Sequence, residues 1–263
     1  MRRLKDFEPI TSQVMQVIAK DTSFSCRPSL GEIFQTHDKV IFAISHSTPL
    51  SWLPAMCLLT AHACARGGGA RKPLGIMDRF FFTVPGLRYL AQQITQADGP
   101  MSFAEIADSF KHGDGNDLVI FPEGSNCFFG HPEDIQEFRS PRFMELAIRS
   151  GAPIVIAVHR GSEGWAKAVP LDESTLDKID FLPKIAADFL QNRLRKTGLL
   201  TFPLWPKPME KFAMLCELYH PKLKVEDLKS DPQEQVLQIR EEAELVRMRM
   251  RELLTELDMA KSN

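Results

Sequence analysis

From Val40 to Ala65 the chain carries no Asp, Glu, Lys or Arg. An uncharged stretch of this length must be held away from water. A membrane helix needs roughly 20 predominantly apolar residues in succession. Here Ser, Thr, His46, His62, Pro49 and Pro54 interrupt the apolar side chains. The stretch therefore reads as a buried strand, a loop and a helix. Residues 39–45 (Lys-Val-Ile-Phe-Ala-Ile-Ser) have the branched and aromatic content of a short buried strand. Leu53 to Ala65 then reads as a helix ended by Gly67-Gly68-Gly69. No run of 18 or more apolar residues occurs anywhere, so no transmembrane span is expected.

The pattern repeats along the chain. Lys72–Met77 reads as a short strand, and Phe80–Gln93 as helix broken at Pro85-Gly86. Ser102 with Glu105 forms a capping box for a helix to Lys111. Leu118-Val-Ile-Phe is an apolar strand that stops at Pro122-Glu123-Gly124. Arg142–Ser150 reads as a helix closed by Gly151, followed by the buried strand Pro153-Ile-Val-Ile-Ala-Val. Met209–Leu218 reads as a late strand, and the region 166–208, with Phe181-Leu182-Pro183, is less regular. Apolar strands alternating with helices predict an α/β fold, a mainly parallel mixed sheet flanked by helices.

At the amino end, residues 5–20 have helical spacing, with Phe7, Ile10, Val14, Val17 and Ile18 near one face. The organisation expected is an N-terminal helical segment at 1–37, an α/β domain at 38–225, and a C-terminal amphipathic helix at 226–263. Pro232 starts that last helix after Ser230 and Asp231. Val236, Ile239, Ala243, Val246, Met250, Leu253 and Leu257 make a seven-residue repeat. It suits either packing on the domain or a homodimer coil.

Charge excludes some partners. Lys plus Arg number 32 against 34 Asp plus Glu, a net charge of −2. A nucleic-acid binder relies on basic excess, so none is expected. Five cysteines, Cys26, Cys57, Cys64, Cys127 and Cys216, without a C-x-x-C pair point to a reducing compartment. The basic start Met1-Arg-Arg-Leu-Lys-Asp has no apolar signal core behind it.

Two strand-end loops could carry chemistry. Ser45-His46-Ser47-Thr48-Pro49-Leu50-Ser51 supplies a histidine, whose ordinary pKa suits a general base. Phe121-Pro122-Glu123-Gly124-Ser125-Asn126 supplies a stiff turn, an acid and a glycine that permits close approach of a ligand. Either alone is equally well a structural loop. Together, about 75 residues apart, they resemble the glycerolipid acyltransferase family. That family has a His-x4-Asp motif and a later Phe-Pro-Glu-Gly motif. The resemblance extends over Phe138–Ala147, Gly151–Val158 and Leu200–Pro206, roughly residues 25 to 222.

The resemblance implies an acyltransferase of phospholipid biosynthesis. It would move a fatty acyl group from an acyl-CoA or acyl-carrier-protein thioester to a hydroxyl of a lipid-like acceptor. No metal or other cofactor is expected. His46 would be the general base, and Phe121, Pro122, Glu123, Gly124 and Ser125 would line the acceptor site. A cytoplasmic location, with peripheral contact at the membrane, would suit such substrates. Two departures stand out. Ser51 occupies the place of the aspartate that orients the imidazole, and loss of the comparable carboxylate in a triad protease costs about 10⁴ in rate. Asp38, Asp78 and Asp117 are the carboxylates near strand ends that could substitute. The family's phosphate-binding arginines are also missing from Gln92–Ala97 and from Ser125-Asn126-Cys127, which leaves Arg79 or another base for an acceptor phosphate. A catalytically degenerate acyl- or lipid-binding protein and an acyl-thioester hydrolase are the alternative readings.

Other features have plainer accounts. Cys57, His62 and Cys64 fit no closed zinc spacing. Gly67–Gly69 with Arg66, Arg71 and Lys72 suits a surface loop or a contact for coenzyme A phosphates. Phe80-Phe81-Phe82 suits the core, and Phe202-Pro203-Leu204-Trp205 suits the core or a membrane interface. Arg247, Arg249 and Arg251 read as a solvated basic stripe.

Overall fold

The computed structural model describes residues 1–83, 86–115, 117–171 and 192–260. Six strands form the main sheet: β1 (Ala19–Arg27), β2 (Val40–Ile44), β3 (Pro73–Gly75), β4 (Asp117–Ile120), β5 (Ile154–Arg160) and β8 (Met209–Tyr219). Their spatial order is β1-β8-β5-β2-β4-β3. β5, β2, β4 and β3 run parallel, while β8 is antiparallel to β5 and carries β1 parallel to itself. β6 (Ala166–Pro170) and β7 (Leu199–Pro203) form a separate antiparallel pair. The expected α/β class, a mainly parallel mixed sheet flanked by helices, is therefore the observed one. Phe181-Leu182-Pro183 and Pro85 lie outside the described residues.

Alternation along the strands divides the core into two layers. Val40, Phe42 and Ile44 with Val155 and Ala157 face α1 (Glu8–Ile18), α2 (Leu30–Thr36) and α3 (Trp52–Ala65). Ile41 and Ala43 with Ile154, Ile156 and Val158 face α7 (Arg142–Ser150) and the long terminal helix α8 (Pro232–Met259). α4 (Arg79–Thr83), α5 (Leu87–Thr95) and α6 (Phe103–His112) bridge β3 to β4. All five residues of β2 are buried, as expected of a strand covered on both faces. The uncharged run thus contains one of the two central strands and a helix that packs on its face.

Two expectations need correction. Residues 1–37 are not a helical segment, because Ala19–Arg27 is an edge strand of the main sheet. Its outward side chains are polar and charged, which is how exposed edges avoid pairing with other chains. Ile10 and Val17, expected on the apolar face of the first helix, are 61% and 71% exposed, and Met15 is buried instead. The repeat of α8 is used within the chain: Ile239, Ala243, Val246, Met250, Leu253 and Leu257 pack into the core, and Val236 is exposed. Capping follows the sequence, with Ser102 and Glu105 reciprocally bonded and Asp231 accepting from the N–H groups of Gln233 and Glu234.

The glycine triplet closes α3 against the core. Gly67 has φ +87°, and a Cβ on Gly68 would stand 2.5 Å from the Phe34 ring. Arg71 points inward: Nε and Nη2 bind the Asp117 carboxylate at 2.8 and 2.5 Å, and the other donors reach the carbonyls of His37 and Asp38. This loop lies at the amino ends of β2 and β4, the edge opposite His46, and Arg71 is committed to Asp117 rather than open to a phosphate. Breaking a buried ion pair leaves a stranded charge. Arg71→Ala should therefore lower unfolding free energy by about 3–5 kcal/mol in denaturant titration. A loss below about 1 kcal/mol would mean that this pair does not hold the edge.

Candidate functional site

The carboxyl ends of β2 and β4 are neighbours because the two strands pair, Ala43 opposite Ile120. Each strand leaves the sheet there, which brings the two sequence motifs together. The backbone N–H of His46 donates to both oxygens of Glu123, at 3.2 Å each. The His46 and Phe121 rings lie 5.1 Å apart, tilted by 50°. Glu123 is fully buried. The turn is closed by the Gly124 N–H donating to the Phe121 carbonyl at 2.9 Å. Gly124 has φ +50°, a conformation natural to glycine, and lies against the Arg139 side chain.

The remaining expected residues fall into place unevenly. Ser51 is buried, but its Oγ donates to the Thr48 carbonyl at 2.9 Å and accepts from the Thr48 N–H at 3.3 Å. It shapes the loop and makes no bond to the imidazole. Pro122 is buried in the turn. Ser125 Oγ bonds the Arg139 guanidinium, which also pairs with Asp78 at 3.7 Å. Arg79 is exposed at the start of α4, with no ion pair among the described residues. Asp117 is spent on Arg71, and Asp78 on Arg139. Among the described residues, the one carboxylate bonded to His46 is Glu123, and it holds the backbone rather than the ring.

Two residues were missed by sequence reasoning. Arg139 donates its backbone N–H to the Pro122 carbonyl at 2.9 Å and sets its guanidinium beside Gly124 and Ser125. It is a base at the glycine turn, where Arg79 was expected to serve. His159 is the second. The β2–β5 register pairs Ile44 with Ala157, which brings His159 to the same end of the sheet as His46. Its Nε2 lies 3.0 Å from the Ser45 carbonyl. A carbonyl only accepts, so this nitrogen carries the proton and Nδ1 bears the lone pair. Alternating position in the strand was the only signal available.

The electrostatics follow from burial. Part of His46 reaches solvent, yet both ring nitrogens are sealed and make no well-formed hydrogen bond among the described residues, although the backbone of Pro49 and Gly124 lies close enough to favour the imidazolium. The hydroxyls of Ser45, Ser47 and Thr48 and Nδ1 of His159 are likewise buried without partners. Desolvation, reinforced by His159, pushes the His46 pKa down to about 4. Desolvation also takes His159 to about 4. Glu123 is raised to about 7 by burial, against the pull of the His46 N–H, its own N–H and Arg247. The imidazole is thus neutral at ordinary pH, and the carboxyl titrates near neutrality.

No group of three His, Cys, Asp or Glu residues able to hold a metal occurs among the described residues. Cys57 is buried, and His62 stacks on Phe24 at 4.2 Å. No family model matches the chain, and no characterised protein is significantly similar to it.

These pKa values give opposing pH dependences. Between about pH 4 and 6.5 the unfolded chain binds protons at His46 and His159 that the folded chain refuses. That contribution to stability is present above 6.5 and is lost as pH falls through this window. Glu123 acts in reverse: the folded chain keeps its proton to about pH 7 and the unfolded chain loses it near 4.5, so stability is lost as pH rises. Glu123→Gln removes that loss. Its stability relative to the parent should rise by about 3 kcal/mol between about pH 5 and about pH 8, measured by denaturant titration. A difference independent of pH would contradict a buried, titrating carboxyl.

Proposed function

We propose that this chain is an O-acyltransferase that moves a fatty acyl group from a thioester to a hydroxyl of a lipid-like acceptor. The observation that carries the reading is the joining of the His46 loop to the Phe121–Gly124 turn through Glu123, which sets a neutral His46 ring beside the backbone of Pro49 and Gly124. A neutral imidazole with an unused lone pair can take a proton. In the proposed step the acceptor oxygen attacks the thioester carbonyl as its proton passes to His46. The C–O bond forms, the C–S bond breaks, and the departing sulfur takes the proton from the imidazolium. The acceptor would lie against Phe121, Gly124 and Ser125, with Arg139 beside them for an anionic headgroup.

An apolar groove supports an amphiphilic substrate. Leu50, four positions after His46, lines a space of about 470 Å³ with Pro203, Leu204, Trp205 and Pro206. Phe202, Leu204 and Trp205 are 47%, 43% and 88% exposed. Such residues suit an acyl chain or the interfacial zone of a membrane. Among the described residues, no helix is long and apolar enough to cross one. Peripheral attachment beside this groove is part of the proposal.

The absent aspartate bears on rate. A pKa near 4, set by burial and by the neighbouring His159, makes His46 a weak base. Slow transfer is expected, and the sealing of both nitrogens favours the second reading, an acyl-binding protein without turnover. The two separate in one assay with labelled acyl-CoA and a panel of lysolipids and glycerides. The enzyme predicts transfer that His46→Ala lowers by about 10²–10⁴. Ser51→Asp should raise the His46 pKa and the rate if position 51 can reach the ring. Equal background turnover in the parent and His46→Ala would sink the enzyme reading, and free fatty acid without acylated product would replace it with hydrolysis.

A further inference from the structure

Beyond the Gly124–Phe128 turn lies a cleft of about 390 Å³ whose lining includes no residue of the His46 loop. Its walls are Asn126 and Phe129 from the turn, the following 134–137 loop, Arg193 and Lys196 before β7, and Arg247 and Arg251 from α8. Four cations therefore line it against two carboxylates, Asp134 and Glu137. In a chain whose net charge is −2, this is a local concentration of positive charge.

The cations are only partly neutralised in place. Arg193 and Lys196 share Glu137, at 2.9 and 2.5 Å. Arg247 is held by Glu244, which is not part of the cleft. Arg251 donates one Nη2 bond, 3.2 Å, to the Ile135 carbonyl. A guanidinium has five N–H donors, so both α8 arginines retain donors for a ligand. The basic stripe expected to be merely solvated is thus divided: Arg249 turns to Glu217 at 2.6 and 2.7 Å, while Arg247 and Arg251 turn to the cleft. Forked guanidinium donors are the groups best suited to phosphate oxygens.

The cleft also adjoins the site. Asn126 lies two residues beyond Gly124, donates Nδ2 to the Glu137 carbonyl at 2.7 Å and is 2% exposed. Arg247, on the cleft wall, is the cation whose charge acts on Glu123. We propose that this cleft binds the phosphomonoester or diphosphate of a small molecule whose other end reaches His46. Two molecules share that chemistry: the phosphorylated end of a coenzyme A thioester, and the headgroup of a phosphorylated acceptor. Only the identity of the molecule rests on the acyl-transfer reading.

Isothermal titration calorimetry at low salt would test the cleft with coenzyme A, 3′-dephospho-coenzyme A, sn-glycerol 3-phosphate and inorganic phosphate. At least one phosphorylated probe should bind, more weakly as salt is added. Lys196→Gln with Arg251→Gln should weaken binding at least about tenfold. Lys196→Glu alone, at a side chain 59% exposed, should weaken it in the same direction without endangering the fold. Coenzyme A binding tighter than its dephospho form identifies the donor, and tight glycerol phosphate binding identifies the acceptor. No binding by any phosphorylated probe, or equal affinity in parent and variants, would overturn the proposal. Binding with no acyl transfer would instead sink the acyltransferase reading and leave the cleft standing.

Discussion

The bond between the His46 backbone and the Glu123 carboxylate joins the two loops on which the proposed chemistry depends. Glu123 is out of water, and its oxygens accept the His46 N–H at 3.2 Å. A buried acceptor without a donor costs free energy, so each loop restrains the other. The strands beneath supply the frame, since β2 and β4 pair and leave the sheet at one edge. The same carboxyl is held near neutral pKa by burial. Loop geometry and electrostatics at this edge therefore share one cause, the exclusion of water from the ends of two buried strands.

That exclusion also sets the limits of the site. A histidine brought to about 4 by desolvation is a proton acceptor of low driving force. Ser51 does not compensate, because its hydroxyl is bonded within its own loop. A second neutral histidine, His159, lies nearby in place of a charge. The uncharged run from Val40 to Ala65 is good for packing a central strand and poor for supporting an imidazolium. The basic groups that remain, Arg139 and the cleft arginines, stand at the periphery, where water still solvates them in part.

Much of this architecture was legible in the sequence, and the reasons are local. β2 and β5 are apolar on both faces, and no other element suits such short runs. Ser102 and Asp231 announce helices because their side chains satisfy N–H groups a few residues away. What was not legible depends on partners distant in the chain. Lys-Asp-Thr-Ser in β1 has no strand pattern of its own and is a strand only because β8 lies beside it. His159 needed the β2–β5 register, and Arg139 needed the course of an irregular loop back to Pro122. The direction of Arg71, inward to Asp117, likewise required the closure of the glycine loop.

The account stands on a desolvated, neutral imidazole at the end of β2. A ¹⁵N NMR titration of the folded chain, with the His46 resonance assigned by comparison with His46→Ala, measures this directly. The account predicts a ring that remains neutral at pH 6 and protonates with a midpoint near 4. A midpoint at or above the ordinary value of about 6.5 would contradict it, because the His46 ring would then lie in water or against a carboxylate, and none of the described residues bonds one to it.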